Sequence, residues 1–181
     1  MKKIVITYGL IAGAIVAAMM LITMPLFKSG TLNHDSGELY GYTTMVIALS
    51  MVFFGVKTFR DKHANGAITF GKGLKIGLLI TLIAAVMYSI AWEISLVTQD
   101  MGDYMTNWIQ QNYDEMKAAG ATEAELKASK ANWDKMLEYY SILPIRFVIT
   151  MMEILPVGLI ISLISAALLR RKEFLPSTEQ V

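Results

Sequence analysis

Four long apolar segments, separated by polar stretches, dominate the pattern of hydrophobic and polar positions along the chain. The first two segments, Ile4–Phe27 and Leu39–Val56, contain no charged residue. The third, Ile76–Thr98, contains one charge and the fourth, Ile142–Leu169, contains two. A hydrocarbon core about 30 Å thick is crossed by about 20 helical residues, so each segment is long enough to span a bilayer. The pattern predicts an all-α, four-helix transmembrane bundle.

The polar residues between the third and fourth segments are too numerous for a simple turn. Thr122 and Glu125 have the spacing of a capping box, and Gly120 supplies the left-handed residue that commonly ends a preceding helix. The pattern therefore predicts a helical hairpin with a partly apolar face, and its two helices are Gly102–Ala119 and Glu123–Tyr140. Two interpretations remain open: a hairpin that packs on the bundle or the lipid surface, and a dedicated docking site for a partner.

We expect one membrane domain, residues 1–181. Its predicted parts are spans near 4–27, 39–59, 73–99 and 142–169, an inner loop at 57–75 and a helical insert at 100–141. The first apolar run follows Lys2 and Lys3 and continues to Phe27, whereas the apolar region of a signal peptide has about 7–15 residues. We therefore expect a retained span, with a cleaved signal as the alternative.

The basic residues predict the orientation of the spans. Ten of the 16 Lys and Arg residues lie before the first span, in the loop at 57–75 or directly after the fourth span. Because cytoplasmic loops carry an excess of Lys and Arg, both termini are expected in the cytoplasm. The stretch 99–141 holds eight carboxylates against four lysines, which places the predicted hairpin outside.

Composition limits the chemistry that the chain can carry. It contains no cysteine, so disulfides, thiol nucleophiles and thiolate metal sites are excluded. His34 and His63 fall on opposite sides of the membrane in this topology and cannot share a metal. No basic stripe with interleaved aromatic residues points to nucleic acid. We expect no cofactor, no metal and no catalytic residues; the partners expected are the lipid bilayer and a membrane protein or a second copy of the chain.

Small residues recur at intervals of four along three spans, which is typical of helices whose backbones approach closely in lipid. The third span has the longest series, and its next step is Glu93. The residues are Gly9, Gly13 and Ala17 in the first span; Gly73, Gly77, Thr81, Ala85 and Ser89 in the third; and Gly158, Ser162 and Ala166 in the fourth.

Three charges inside the spans form a candidate intramembrane polar cluster. Glu93 and Arg146 lie at similar depths, so they can form an ion pair, and Glu153 lies deeper, near Tyr88. Thr150 lies between the two charges of the fourth span. Intramembrane charges are costly and usually face protein or a water-filled cavity. Two interpretations remain open: a structural ion pair with a hydrogen-bonded second carboxyl, and a pocket for a small ligand, a lipid headgroup or a proton.

Four stretches resemble a known family. They are Phe54–Asp61 (FGVKTFRD) with Asn65–Gly71 (NGAITFG), Glu153–Ile164 (EILPVGLIISLI), and Arg170–Lys172 (RRK). In these stretches the chain is similar to domain-of-unknown-function family 4199. The resemblance implies a bacterial inner-membrane protein with four spans and an outer helical insert before the last one, and it implies no activity.

The sequence favours a non-enzymatic accessory or scaffolding component of the membrane, which binds partners through the hairpin or through its small-residue faces. The alternative is a small transporter, or a protein that binds lipid or a small ligand, with its polar site between the third and fourth spans. A membrane-embedded enzyme comes third, since no residue pattern argues for one.

Overall fold

The computed structural model describes residues 1–28, 34–98 and 103–175, and every regular element in these ranges is an α-helix. The helices are α1 (Lys2–Lys28), α2 (His34–His63), α3 (Phe70–Thr98), α4 (Tyr104–Ala118), α5 (Glu123–Ser141) and α6 (Leu143–Leu169). Four of them, α1, α2, α3 and α6, are long and apolar enough to cross a membrane. The predicted all-α fold with four membrane helices is confirmed, and the architecture is that of a multi-pass membrane protein.

The four long helices form a bundle in which α3 packs against both α1 and α6, and α2 closes the bundle against all three. In the described parts of the chain, α1 and α6 do not approach one another, so they occupy opposite corners. The centre is filled by side chains without solvent exposure, among them Leu49, Val52, Ile76, Ile80 and Ile154. Large apolar side chains cover the outside as well, which is the surface that lipid requires.

The contact between α1 and α3 depends on glycine. A Cβ atom at Gly9 would lie 2.7 Å from Cβ of Ile83, and one at Gly13 would lie 2.8 Å from Cβ of Met87. Both positions advance by four residues in the same direction, so α1 and α3 run parallel. The small-residue face predicted for the first span is therefore occupied by α3 of the same chain.

The insert consists of α4 and α5, which contact each other, and within the described residues the backbone of α5 approaches the bundle at α6. Gly120 between them has a φ of +84°, the predicted left-handed conformation. The predicted capping box is confirmed: Thr122 Oγ1 accepts from the Glu125 amide, and the Glu125 carboxylate accepts from the Thr122 amide at 2.8 Å. The hydrogen bonds that the amide and the hydroxyl of Thr122 donate to this carboxylate lower the pKa of Glu125. The outer position of the insert remains a prediction.

We call the end of the bundle where α1 begins and α6 ends the terminal end, and the opposite end, where α4 and α5 are inserted, the insert end. At the terminal end Arg60 of α2 is completely buried. Its Nη1 donates to the carbonyl of Phe174 at 2.8 Å and its Nη2 donates to the carbonyl of Leu175 at 2.5 Å. Its Nε donates to Asp61 at 2.7 Å. Arg60 therefore fastens the segment that follows α6 to the end of α2.

Replacing Arg60 by methionine is expected to release this C-terminal segment. Hydrogen bonds from a charged donor contribute about 1.5–3 kcal/mol each, so amide exchange at residues 171–175 should accelerate about tenfold or more. Hydrogen exchange followed by mass spectrometry measures this. The matched control is Lys62→Met, which removes an exposed cation two residues away. Unchanged protection of residues 171–175 in the Arg60 variant would contradict the assignment.

Candidate functional site at the contact between α3 and α6

Small residues alternate between α3 and α6 along their contact. A Cβ atom at Gly77 would lie 2.7 Å from Oγ of Ser162, and one at Gly158 would lie 2.9 Å from Cβ of Thr81. Each step of four residues up α3 is matched by a step of four down α6, so the two helices are antiparallel. The pairs that meet at these glycines are Gly73 with Ala166, Gly77 with Ser162, and Thr81 with Gly158. We call this row the small-residue seam.

Two hydroxyl groups continue the seam toward the insert end by bonding to the backbone of α6. Ser89 Oγ donates to the carbonyl of Phe147 at 3.3 Å, and Thr150 Oγ1 donates to the carbonyl of Arg146 at 3.0 Å. Both side chains are buried. Thr150, one of the predicted site residues, is thereby used within its own helix.

An ion pair closes the seam at the insert end. Arg146 of α6 donates from Nε to Oε1 of Glu93 at 2.9 Å and from Nη2 to Oε2 at 2.6 Å. The guanidinium and the carboxylate thus meet through two parallel hydrogen bonds, the strongest geometry for this pair. Their side chains are 18% and 20% exposed. The ion pair suggested by the similar depths of the two residues is present.

The same arginine reaches a third helix. Its Nη1 donates to the carbonyl of Tyr140, in the last turn of α5, at 3.1 Å. The guanidinium also lies 5.5 Å from the centroid of the Tyr140 ring, within the range of a cation–π contact. The Tyr140 hydroxyl in turn accepts from Nε1 of Trp92 at 2.7 Å. Arg146 therefore connects α3, α6 and α5. We call the side chains of Trp92, Glu93, Tyr140 and Arg146 the anchor.

Tyr140 and Trp92 were not among the residues expected at the site. Trp92 precedes Glu93 directly, and tryptophan beside an intramembrane charge near a helix end is a signal that could have suggested it. Tyr140 gives no such signal, because the helix ends at Ser141 and restarts at Leu143. Helical periodicity cannot relate two residues across that break.

Glu153 lies apart from the anchor. The hydroxyl of Tyr88 donates to its Oε2 at 2.9 Å, and its side chain is exposed on the surface of the bundle. Seven helical residues, about 10 Å along the axis, separate it from Arg146. The five candidate residues are therefore arranged as two pairs, Glu93 with Arg146 and Tyr88 with Glu153, plus the backbone-bonded Thr150.

Metal ligands are not assembled in the part of the chain that the structure describes: no three His, Cys, Asp or Glu side chains come together there. His63 ends α2 with its ring 5.7 Å from that of Phe59. The side chain of His34 lies outside the described ones.

Comparison with known proteins gives one match. A family model described as protein of unknown function (DUF4199) matches residues 7–171, which is most of the chain. The matched range contains the small-residue seam, the anchor and the Tyr88–Glu153 pair. No curated protein and no solved structure matches the chain.

Proposed function

Because the chain belongs to the DUF4199 family of unknown function, we propose its role from its geometry: it is a non-enzymatic accessory or scaffolding component of a membrane. Its four-helix bundle holds α4 and α5 in a fixed position for a partner protein. We place it in the bacterial inner membrane with both termini in the cytoplasm, since the basic residues cluster at the terminal end.

The observation that carries this proposal is the three-way connection made by Arg146. Its carboxylate partner lies on α3 and its carbonyl partner on α5, so the ion pair holds the insert as well as the bundle. The small-residue faces, which the sequence offered as a second binding surface, are occupied inside the chain by α1, α3 and α6. The insert remains as the surface for a partner.

The charge of the insert indicates the kind of partner. The helices α4 and α5 with the turn between them carry six acidic residues and four lysines. Most of these charged side chains are exposed. Complementary charge steers association and fixes its register, so the surface that binds here is expected to be basic.

A photo-crosslinking amino acid at exposed Lys130 of α5 tests the proposal in intact membranes, with the same probe at lipid-facing Ile160 as the control position. We expect a protein adduct from position 130, weakened by added salt and by the double charge reversal Glu115→Lys with Asp134→Lys. The matched control, Lys127→Gln, keeps the acidic residues and should keep the adduct.

Arg146→Met should also weaken the adduct from position 130, because the insert loses its fixed position. An adduct unaffected by both the charge reversal and Arg146→Met, or adducts only from Ile160, would contradict the proposal.

A second candidate function follows from the exposed carboxyl of Glu153. A small transporter, or a protein that binds lipid or a small ligand, would use a polar site between α3 and α6. The Tyr88–Glu153 pair supports this alternative, because Glu93 of the anchor is already paired with Arg146. Native mass spectrometry of the protein released from detergent would show a bound small molecule that Glu153→Gln loses. Spectra in which neither the wild-type protein nor Glu153→Gln carries a bound small molecule would count against this alternative.

A further inference from the structure

We propose that Glu153 and Tyr88 form a proton-binding site inside the membrane that is reached from the surface of the bundle. This inference is independent of the partner proposed for the insert. It concerns a different pair of residues, and it can hold or fail whichever way the crosslinking experiment comes out.

The depth of the pair is the first argument. Glu153 is ten residues from the start of α6, which has 27 residues, so it lies about 15 Å along the helix. A hydrocarbon core is about 30 Å thick, which places the carboxyl near its middle. Because the side chain is exposed on the bundle, it faces the medium around the protein at that depth.

The hydrogen bonding of the pair is the second argument. In the described part of the chain, Tyr88 is the only residue bonded to Glu153, and its hydroxyl donates to Oε2. A tyrosine hydroxyl can either donate or accept. It can therefore donate to the carboxylate and accept from the protonated acid, so that Glu153 keeps a partner in both states. Proton binding forms one O–H bond on the carboxylate, and no electron is transferred.

Among the side chains that the structure describes, none supplies a counter-ion to this carboxyl. The nearest cation along α6 is Arg146, which is paired with Glu93. On α2 the exposed Tyr40 and Tyr42 do not bond to Glu153. The other charged groups with described side chains on the helices packed against α6 lie at the two ends of the bundle: Lys57, Arg60, Asp61, Lys62 and His63 of α2; Lys72 and Lys75 of α3; and those of α5 from Glu123 to Glu138.

The chain contains its own control for this inference. Glu93 is also a carboxyl within a membrane helix, but the two hydrogen bonds from Arg146 occupy both of its oxygens. An apolar carbodiimide dissolves in hydrocarbon and reacts with a protonated carboxyl. The acid proton moves to a carbodiimide nitrogen, and the carboxyl oxygen bonds to the central carbon. No atom is lost, so the adduct carries the full mass of the reagent. Glu153 should react and Glu93 should not.

The experiment treats the full-length protein in phospholipid vesicles with dicyclohexylcarbodiimide over a range of pH and maps the adducts by peptide mass spectrometry. We expect the yield at Glu153 to rise as the pH falls and to exceed that at Glu93 by about tenfold or more, since a paired charge is retained in its ionised form. In Tyr88→Phe, labelling should persist to higher pH because the carboxylate has lost its donor. Glu153→Gln should abolish the adduct.

Three outcomes would overturn the inference: no adduct at Glu153 at any pH, equal labelling of Glu93 and Glu153, or protection by sodium ions at constant pH. The last would assign the site to a metal cation. The decisive comparison is made within the wild-type protein, so it does not depend on whether the variants fold.

Discussion

Replacing Arg146 by methionine is expected to lower the free energy of unfolding by up to about 3–5 kcal/mol, the cost of removing one partner from a fully buried ion pair, since this pair is 18% and 20% exposed. The loss is large because Glu93 would either hold a charge among apolar side chains without a counter-ion or have to take up a proton. The carbonyl of Tyr140 would lose its donor at the same time. Replacing Glu93 by leucine should destabilise the protein for the same reason, since it leaves the guanidinium without its carboxylate.

The double variant Glu93→Leu with Arg146→Met separates the ion pair from the rest of the anchor. It leaves no unpaired charge, so it should be more stable than the sum of the two single effects predicts. The double variant should still be less stable than the wild-type protein, because the Tyr140 carbonyl lacks the hydrogen bond from Arg146. Thermal melting in detergent measures all three proteins, and Arg171→Met, which removes an exposed cation, is the control. Neutral single variants would contradict the pairing, and so would strictly additive effects.

Replacing Gly158 by alanine is expected to cost about 1–3 kcal/mol or more, the range found when atoms are added to a packed interior. The new Cβ would lie 2.7 Å from Oγ1 and 2.9 Å from Cβ of Thr81. Thr81 is completely buried, so its side chain has no free space into which it can turn. The two helices would have to separate along the small-residue seam.

The matched control is Gly71→Ala on α3, because a Cβ there meets nothing within 4 Å. This change should leave the melting temperature unchanged or raise it, since alanine is the better helix former by up to about 1 kcal/mol. Thr81→Ser in the Gly158→Ala background should restore part of the loss, because it removes the methyl group that meets the new Cβ. A Gly158→Ala variant as stable as the Gly71→Ala variant would contradict the close packing of α3 against α6 at Gly158.

The fold followed from the sequence because its strongest signals act within single helices. Uninterrupted apolar runs gave the four membrane helices, and Thr122 with Glu125 gave the start of α5. The ion pair was also foreseeable. Glu93 ends the series of small residues on α3, and Arg146 enters α6 at a similar depth.

The two depths of the polar residues were foreseeable, but the position of Glu153 beside the contact with α3 was not. Arg146 and Glu153 are seven residues apart, which on an isolated straight helix puts them on nearly the same face. The contact with α3 instead follows a row of residues four apart, which runs obliquely around α6. That row contains Arg146, Thr150 and Gly158 but not Glu153. The carboxyl of Glu153 therefore lies beside the contact between α3 and α6 rather than within it.

The burial of Arg60 could not be predicted from the sequence either. In the sequence it is one of five basic residues between two spans and indicates only orientation. Its role depends on Phe174 and Leu175, more than a hundred residues away along the chain. No local pattern relates such distant positions, and backbone carbonyls leave no mark in the sequence.

The central claim is that Arg146 fixes the position of α4 and α5 on the bundle, and a distance measurement tests it most directly. The chain contains no cysteine, so cysteines placed at the exposed positions Lys130 and Ile160 can carry two spin labels without background. Pulsed electron spin resonance in lipid nanodiscs then gives the distribution of distances between α5 and α6. We expect one narrow distribution for the otherwise unchanged protein and for Arg171→Met, and a broad one for Arg146→Met. A distribution equally narrow in Arg146→Met, or already broad with Arg146 in place, would contradict it.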